Sequence, residues 1–272
     1  MSDSTLGLNP RLEEALRRGS AKATDLMTQR LGNRLGIWYA CGYPKSGTVW
    51  LAELLASYHQ LPYLRNYLLP SLMTSVVHSH WPYTQRRDRC IYVVRDGRDV
   101  MVSYFFHFAA ELQSGRSPAW TSERLAKLKD IDPGFDVTDP GTALPTFIKL
   151  EMEQPRGIRI NWPDHVTQWS EGTSRGNVAI VKYEDLLTDG VNVLSQALQI
   201  VENREVDRKR LERVFEFLSF KNTTGRAQGT EDRTAFRRKA SPGDWKNHFD
   251  ERSTAVFDRY AGRALAELGY ER

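Results

Sequence analysis

Three short strings hold residues whose types and spacing could do chemistry on a phosphorylated ligand. In YPKSGTVW (43–50), Gly42 and Gly47 have the spacing of a phosphate-binding loop. Such a loop carries its lysine directly after the second glycine. Here Thr48 and Val49 follow Gly47, and the lysine is Lys45, inside the loop. Backbone N–H groups there, with Ser46 and Thr48, would surround a terminal phosphate. Lys45 would then reach past that phosphate toward a bond beyond it. In VVRDGRDVMVS (93–103), Arg95 follows an apolar run and Ser103 lies eight residues on, two helical turns away. They offer a guanidinium fork and a hydroxyl to a second phosphate. An alternative makes Asp96 a magnesium ligand at the end of a Walker B strand. Arg95 breaks that pattern and would repel a metal, so Asp96 or Asp99 is expected to cap the next helix. The third string, RRKASPGDWKNHF (237–249), sets Arg237, Arg238 and Lys239 in a turn anchored by Trp245, able to fold onto a phosphate.

The surrounding patterns say what must position these strings. Residues 9–31 read as a helix with Leu12, Ala15 and Leu16 on one stripe and a break at Gly19. RLGIWYACG (34–42) is strand-like, and SGTVWLAELLASYHQ (46–60) is helical, so the first loop joins a strand to a helix. RCIYVV (89–94) is an unbroken apolar run, as in a strand buried on both faces. A helix follows RDGRD, and NVAIVKY (177–183) leads into another. Alternating strands and helices predict an α/β fold: one domain, 1–272, with a central, mostly parallel sheet flanked by helices. Ligands are expected at the carboxyl ends of its strands. Residues 114–146 are rich in Pro, Gly, Ser and Asp around one short helix. They predict a mobile excursion, an acceptor-site lid or insert spanning about 112–160.

Composition limits the function classes. The chain has 272 residues, a formal net charge of +4, 40% hydrophobic residues and two cysteines, with a mean hydropathy of −0.53. The basic balance favours anionic ligands, among them nucleic acid, anionic lipid and phosphorylated small molecules. No apolar run approaches the roughly 20 residues that cross a bilayer, and the N-terminus lacks an apolar signal core. Cys41 and Cys90 lie in apolar strand-like runs and are expected as buried reduced thiols of a cytoplasmic protein.

Taken in order, YPKSGTVW, VVRDGRDVMVSYFFHF and RKASPGDWKNHF, joined by VKYEDLL (181–187), resemble the motifs of the sulfotransferases. That family takes a sulfuryl group from 3′-phosphoadenosine 5′-phosphosulfate (PAPS) and releases adenosine 3′,5′-bisphosphate (PAP). The resemblance runs from about Leu35 to Phe249. It implies that Lys45, Ser46, Gly47, Thr48 and Val49 bind the 5′-phosphosulfate, with Lys45 on the bridging oxygen. It implies Arg95, Ser103, Arg238 and Lys239 on the 3′-phosphate, and Trp50, Tyr183 and Phe220 around the adenine. HSHWP (78–82) occupies the place of the family's Lys-Thr-His-Leu-Pro string, which aligns His80 with the catalytic base and puts His78 in the lysine's place. At period-2 spacing, both face one side of an extended segment. The implied catalytic set is therefore His80, Lys45 and Ser103, acting by in-line attack of a hydroxyl or amine on sulfur, with no metal. His107 is expected beside the donor site.

The sequence departs from the family pattern at three places. Ala240 replaces the glycine of the basic loop, Leu218 replaces a threonine before Phe220, and KNHFDERSTA (246–255) lacks the Thr-Val core of a dimer motif. Oligomeric state is thus left open. The acceptor is expected to be a small molecule, lipid or glycan, with Trp81, Trp120, Phe135, Phe147, Trp162 and His165 lining its pocket. RDGRD and the compact length look like a bacterial enzyme, without nucleic acid as partner and without stable membrane insertion. Two rival readings are a non-catalytic PAP-, nucleotide- or nucleic-acid-binding protein on the same fold, and a P-loop kinase. The kinase needs a lysine after Gly47 and a magnesium carboxylate.

Overall fold

The structure is a computed structural model, and it describes residues 10–63, 73–84, 89–114, 119–156, 160–173, 178–235 and 237–271. Its centre is a sheet of four parallel strands in the order β2-β1-β3-β4. These are β1 (Trp38–Cys41), β2 (Val76–Ser79), β3 (Cys90–Val94) and β4 (Val178–Lys182). Strands β1 and β3 are buried at every position, which explains their unbroken apolar runs. From β1 the chain turns first to β2 on one side and then to β3 on the other. The topological switch point therefore lies between β1 and β3, where the crevice beyond the strand ends accommodates ligands.

Successive strand residues face opposite layers. Trp38, Ala40, Ile91 and Val93 pack with α2 (Thr48–His59), α7 (Tyr183–Glu202) and α8 (Arg208–Phe217). Tyr39, Cys41, Tyr92 and Val94 pack with α3 (Gly97–Gln113), α5 (Pro140–Glu153), α6 (Trp162–Thr173) and the last described helix (Glu251–Glu267). Cys41 and Cys90 are buried, unbridged thiols.

Two expectations are corrected. Residues 114–146 hold two helices rather than one short helix: α4 (Ala119–Ile131) and the start of α5. Helix α5 is a core element, since Leu144, Phe147, Ile148 and Leu150 are all within 1% of complete burial. The Pro- and Asp-rich texture supplied caps instead: Asp139 accepts from the Gly141 amide at the start of α5, with Pro140 in its first turn. In α1 (Pro10–Leu35), Leu12 and Leu16 are exposed, while Ser20, Thr24 and Thr28 are buried. The packed stripe is thus one of small hydroxyl side chains, and the helix runs through Gly19 without a break. Among the described residues, no helix is long and apolar enough to cross a membrane.

Candidate active site

The loop after β1 ends in a left-handed residue, Gly47 (φ 94°), which is the N-cap of α2. A Cβ there would stand 2.6 Å from the Tyr183 ring, so glycine is required by both the backbone and the close approach. Lys45 also adopts a positive φ, 71°, a strained conformation of the kind stored at functional sites. The amides in the first turn of α2 lack intrahelical partners. Beside them the hydroxyls of Ser46 and Thr48 are buried at 1% and 2% exposure, without a hydrogen-bond partner. Buried donors left this way cost stability unless a ligand meets them. An oxyanion fits that cradle.

Across the switch point, Arg95 follows β3 and donates from Nη1 to the Lys45 carbonyl, at 3.2 Å. Its guanidinium lies over the Tyr183 ring at 4.7 Å, and its Nε is buried without a partner. Asp96 caps α3 by accepting from the Arg98 amide, as one of the two sequence alternatives had it. Asp99 does something else. Its carboxylate accepts from the Gly243 and Trp245 amides at 2.8 and 2.9 Å and pairs with Arg95 at 3.7 Å. One buried carboxylate thus ties the Arg95 fork to the basic loop. Burial pushes the Asp99 carboxyl upward, while Arg95 and the two amides pull it back.

The basic loop is neutralised from behind. FRRK has no acid beside it in sequence, yet Arg238 pairs with Asp244 and Glu231, Lys239 with Asp244, and Arg237 with Glu53. Burial alone would raise the Asp244 carboxyl, but hydrogen bonds from His248, Lys239 and Arg238 outweigh it and hold it far below the carboxylate range. Arg226 braces the same loop by donating to the Arg238 carbonyl at 2.9 Å, and its guanidinium lies over Phe220. Ala240 takes φ 52°, the conformation for which the family pattern has glycine.

His80 directly follows β2. Its Nδ1 lies 2.7 Å from the Gly42 carbonyl. A carbonyl only accepts, so Nδ1 carries the proton and Nε2 of the neutral ring is left basic. Burial lowers the His80 pKa below its usual value, with the Gly42 bond opposing and Lys45 adding to the shift. His78 stays on the same side, its ring 5.6 Å from that of His80 and its Nδ1 2.9 Å from the Tyr63 hydroxyl.

These elements enclose a cavity of about 410 Å³. Of the residues expected at the site, Lys45, Gly47, Thr48, Val49, Trp50, His80, Arg95, Ser103, Tyr183, Phe220, Arg238 and Lys239 line it, with Ser46 just behind. Phe236 of the basic stretch lies outside the described residues. None of the six aromatic and histidine residues expected around the acceptor is on the wall. Phe147, Trp162 and His165 are core residues at 1% exposure or less. His165 instead supports His80: its Nε2–H donates to the His80 carbonyl at 3.1 Å, and its Nδ1 accepts from the Tyr92 hydroxyl at 2.9 Å. The wall also includes Tyr104, His107 and Arg156. Sequence reading put His107 beside the donor site and gave the other two no role. The i,i+3 step from Tyr104 to His107, within one turn of α3 from Ser103, was the available signal. Among the described residues, no cluster of His, Cys, Asp and Glu could hold a metal ion.

Comparison with known proteins gives the family and the fold. Residues 59–269 match the sulfotransferase domain family, a stretch that begins at the last residue of α2 and does not include the Lys45 loop. The chain is 25% identical to mouse Sulfotransferase 1E1, over 80% of this chain and 79% of that one. It is also 25% identical to a rabbit amine sulfotransferase, over 80% and 76%. The structure of mouse sulfotransferase SULT7A1 complexed with PAP superposes with a TM-score of 0.61 at 21% identity, covering 85% of each chain. A retinol dehydratase in complex with androsterone and inactive cofactor PAP gives 0.57 at 16% identity, covering 97% and 96%.

Proposed function

The chain belongs to the sulfotransferase family, and from that premise we propose that it sulfates a hydroxyl or amine of a small-molecule acceptor, with PAPS as donor. The observation that carries this reading is the continuity of one cavity. It is lined by Thr48, whose hydroxyl is orphaned as is that of neighbouring Ser46, by Arg95 and by His80. PAPS, when bound, supplies an activated sulfuryl group whose leaving group is a phosphate.

The chain's residues then divide the work. The first turn of α2, with Ser46 and Thr48, holds the 5′-phosphate. Arg95, Ser103, Arg238 and Lys239 hold the 3′-phosphate, and Trp50, Tyr183 and Phe220 flank the adenine. His80 takes the acceptor proton at Nε2 as the acceptor oxygen or nitrogen bonds to sulfur. Lys45 neutralises the charge that grows on the departing phosphate oxygen, a contact worth about 3–4 kcal/mol in a water-excluded site. The 112–160 insert is assigned to the acceptor side, where Arg156 reaches the cavity wall. The buried, unbridged thiols support a reducing, cytoplasmic setting.

The test is to incubate the protein with PAPS and simple phenols and amines, and to follow PAP release and the mass of the acceptor. Stoichiometric PAP and an acceptor heavier by one sulfuryl group are expected. Tight PAP binding without transfer to any acceptor would leave the non-catalytic nucleotide-binding reading.

A further inference from the structure

The chain has six histidines, and five of them meet a partner. His59 stacks on Trp38, His78 meets the Tyr63 hydroxyl, His80 the Gly42 carbonyl, His165 the Tyr92 hydroxyl and His248 the Asp244 carboxylate. His107 has no hydrogen bond, ion pair or ring contact among the described residues. It stands on the cavity wall, one turn of α3 beyond Ser103. Tyr104, three residues earlier and on the same face of the helix, also reaches that wall. Burial pushes the Tyr104 hydroxyl up to about 12, and Arg156 donates a hydrogen bond to it, so its own proton remains for donation. The Lys45 charge acts on His107 and on His80 alike, which sets both imidazoles near the lysine.

We infer that His107 determines acceptor specificity by hydrogen-bonding a second hydroxyl, one that stands beside the hydroxyl or amine to be sulfated. This rests on the sulfuryl-transfer reading of the cavity. Burial and the charges of Lys45 and Arg156 lower the His107 pKa to about 4, so the ring is neutral near pH 7. A neutral imidazole offers one N–H donor and one bare acceptor nitrogen. A phosphate only accepts and would leave the bare nitrogen unmet, whereas a hydroxyl both donates and accepts and so matches either side of the ring. Among the wall residues, Arg95, Arg238 and Lys239 carry the charge that suits the donor's phosphates. The neutral pair of His107 and Tyr104 is left for an uncharged group. An acceptor with an apolar group in that place would bury the imidazole unmet, the loss by which a polar pocket rejects an analogue lacking its hydroxyl.

The experiment uses the protein saturated with PAP and three matched pairs of probes. These are 2-, 3- and 4-(hydroxymethyl)phenol, each set against the corresponding ethylphenol, so that one hydroxyl replaces one methyl at three spans from the phenol. Calorimetry on the wild type should show at least one hydroxymethylphenol binding more tightly than its ethyl partner. His107→Phe should lower that affinity ratio about 3- to 10-fold, the worth of a neutral hydrogen bond. His107→Gln, which keeps a donor and an acceptor, should retain part of it. PAP affinity should be unchanged in both variants, which also reports an intact fold. Three results would each overturn the inference: no preference for the hydroxyl in any pair, binding by none of the probes, or a His107→Phe ratio like that of the wild type. A fall in PAP affinity with an unchanged probe ratio would put His107 on the donor instead. Sulfuryl transfer is scored separately by PAP release from PAPS. Selective binding without release would count against the transfer reading and leave the His107 contact standing.

Discussion

At the scale of single residues, the proposed chemistry depends on which nitrogen of His80 holds its proton. The Gly42 carbonyl settles this by accepting from Nδ1 at 2.7 Å, and His165 holds the His80 carbonyl from beneath. Because burial lowers the His80 pKa, the ring is neutral and competent as a base near pH 7. Its protonation on acidification should remove activity. The acid limb of kcat/KM is thus expected to fall with a midpoint below the usual histidine value of about 6.5. His80→Ala should lower kcat by roughly 10²–10⁴-fold while PAP binds as before. If His78→Ala is instead the inactive variant, the base stands two residues earlier. His165→Phe would separate positioning from catalysis by shifting the pH profile or kcat with PAP affinity intact.

At the scale of elements, the site is made by the ends of two strands and by a loop that has no regular structure of its own. Asp99, in the first turn of α3, holds that loop through the Gly243 and Trp245 amides and holds Arg95 through its side chain. Removing it leaves two N–H groups without their acceptor, each buried donor costing about 1–3 kcal/mol, and Arg95 without its counter-charge. Asp99→Ala should therefore weaken PAP binding by about 10-fold or more. Affinity for adenosine 5′-phosphosulfate, which lacks the 3′-phosphate, should change little. Equal losses for the two nucleotides would show that Asp99 supports the fold as a whole rather than the 3′-phosphate end. The same end of α3 is fastened to the C-terminal segment. Arg98 donates to the Asp96 carboxylate and to the Glu271 carbonyl, and the Tyr270 hydroxyl donates to Glu184 at 2.9 Å. Glu184 in turn accepts from the Asp96 amide, so residues far apart in sequence fix the Arg95 turn.

At the scale of the whole molecule, stability is linked to pH through imidazoles buried in their neutral form. Burial lowers the pKa of His59, His107 and His165 to about 4 each, whereas the unfolded chain protonates histidine near 6.5. Below pH 6.5 the unfolded state thus binds protons that the folded state refuses. The stability they contribute is complete above pH 6.5 and is lost as pH falls toward 4. Each group adds up to about 1.4 kcal/mol per pH unit to that slope. Denaturant midpoints measured from pH 7.5 to 4 should fall steadily below pH 6.5. A flat profile between 6.5 and 5 would contradict neutral burial. Below about pH 4 the unfolded chain protonates Asp244 while the folded state, where its ion pairs hold the basic loop, resists protonation, which should add a further loss.

Much of the site was legible in the chain because each half of it is local. A glycine at a strand-to-helix turn, a lysine two residues before it and an arginine at a strand end are set by a few consecutive residues. The unbroken runs of β1 and β3 likewise announced a parallel sheet, since strands covered on both faces tolerate no polar alternation. What the sequence left undecided depends on residues that meet only after folding. Asp99 and Asp244 gain their partners across long separations, and His165 moves from an expected pocket wall to the underside of His80. The part of the cavity wall made by Tyr104, His107 and Arg156 comes from α3 and the residues after α5, and the core packs α3 and α5 together. The 114–146 stretch misled because Asp, Pro and Gly read as loop one residue at a time, whereas capping and burial turned them into helix ends. Local spacing thus marked a phosphate-binding end, and the resemblance of the motifs supplied the donor expected there. Only long-range packing decided what faces it across the cavity, because that wall is built by side chains with no common motif.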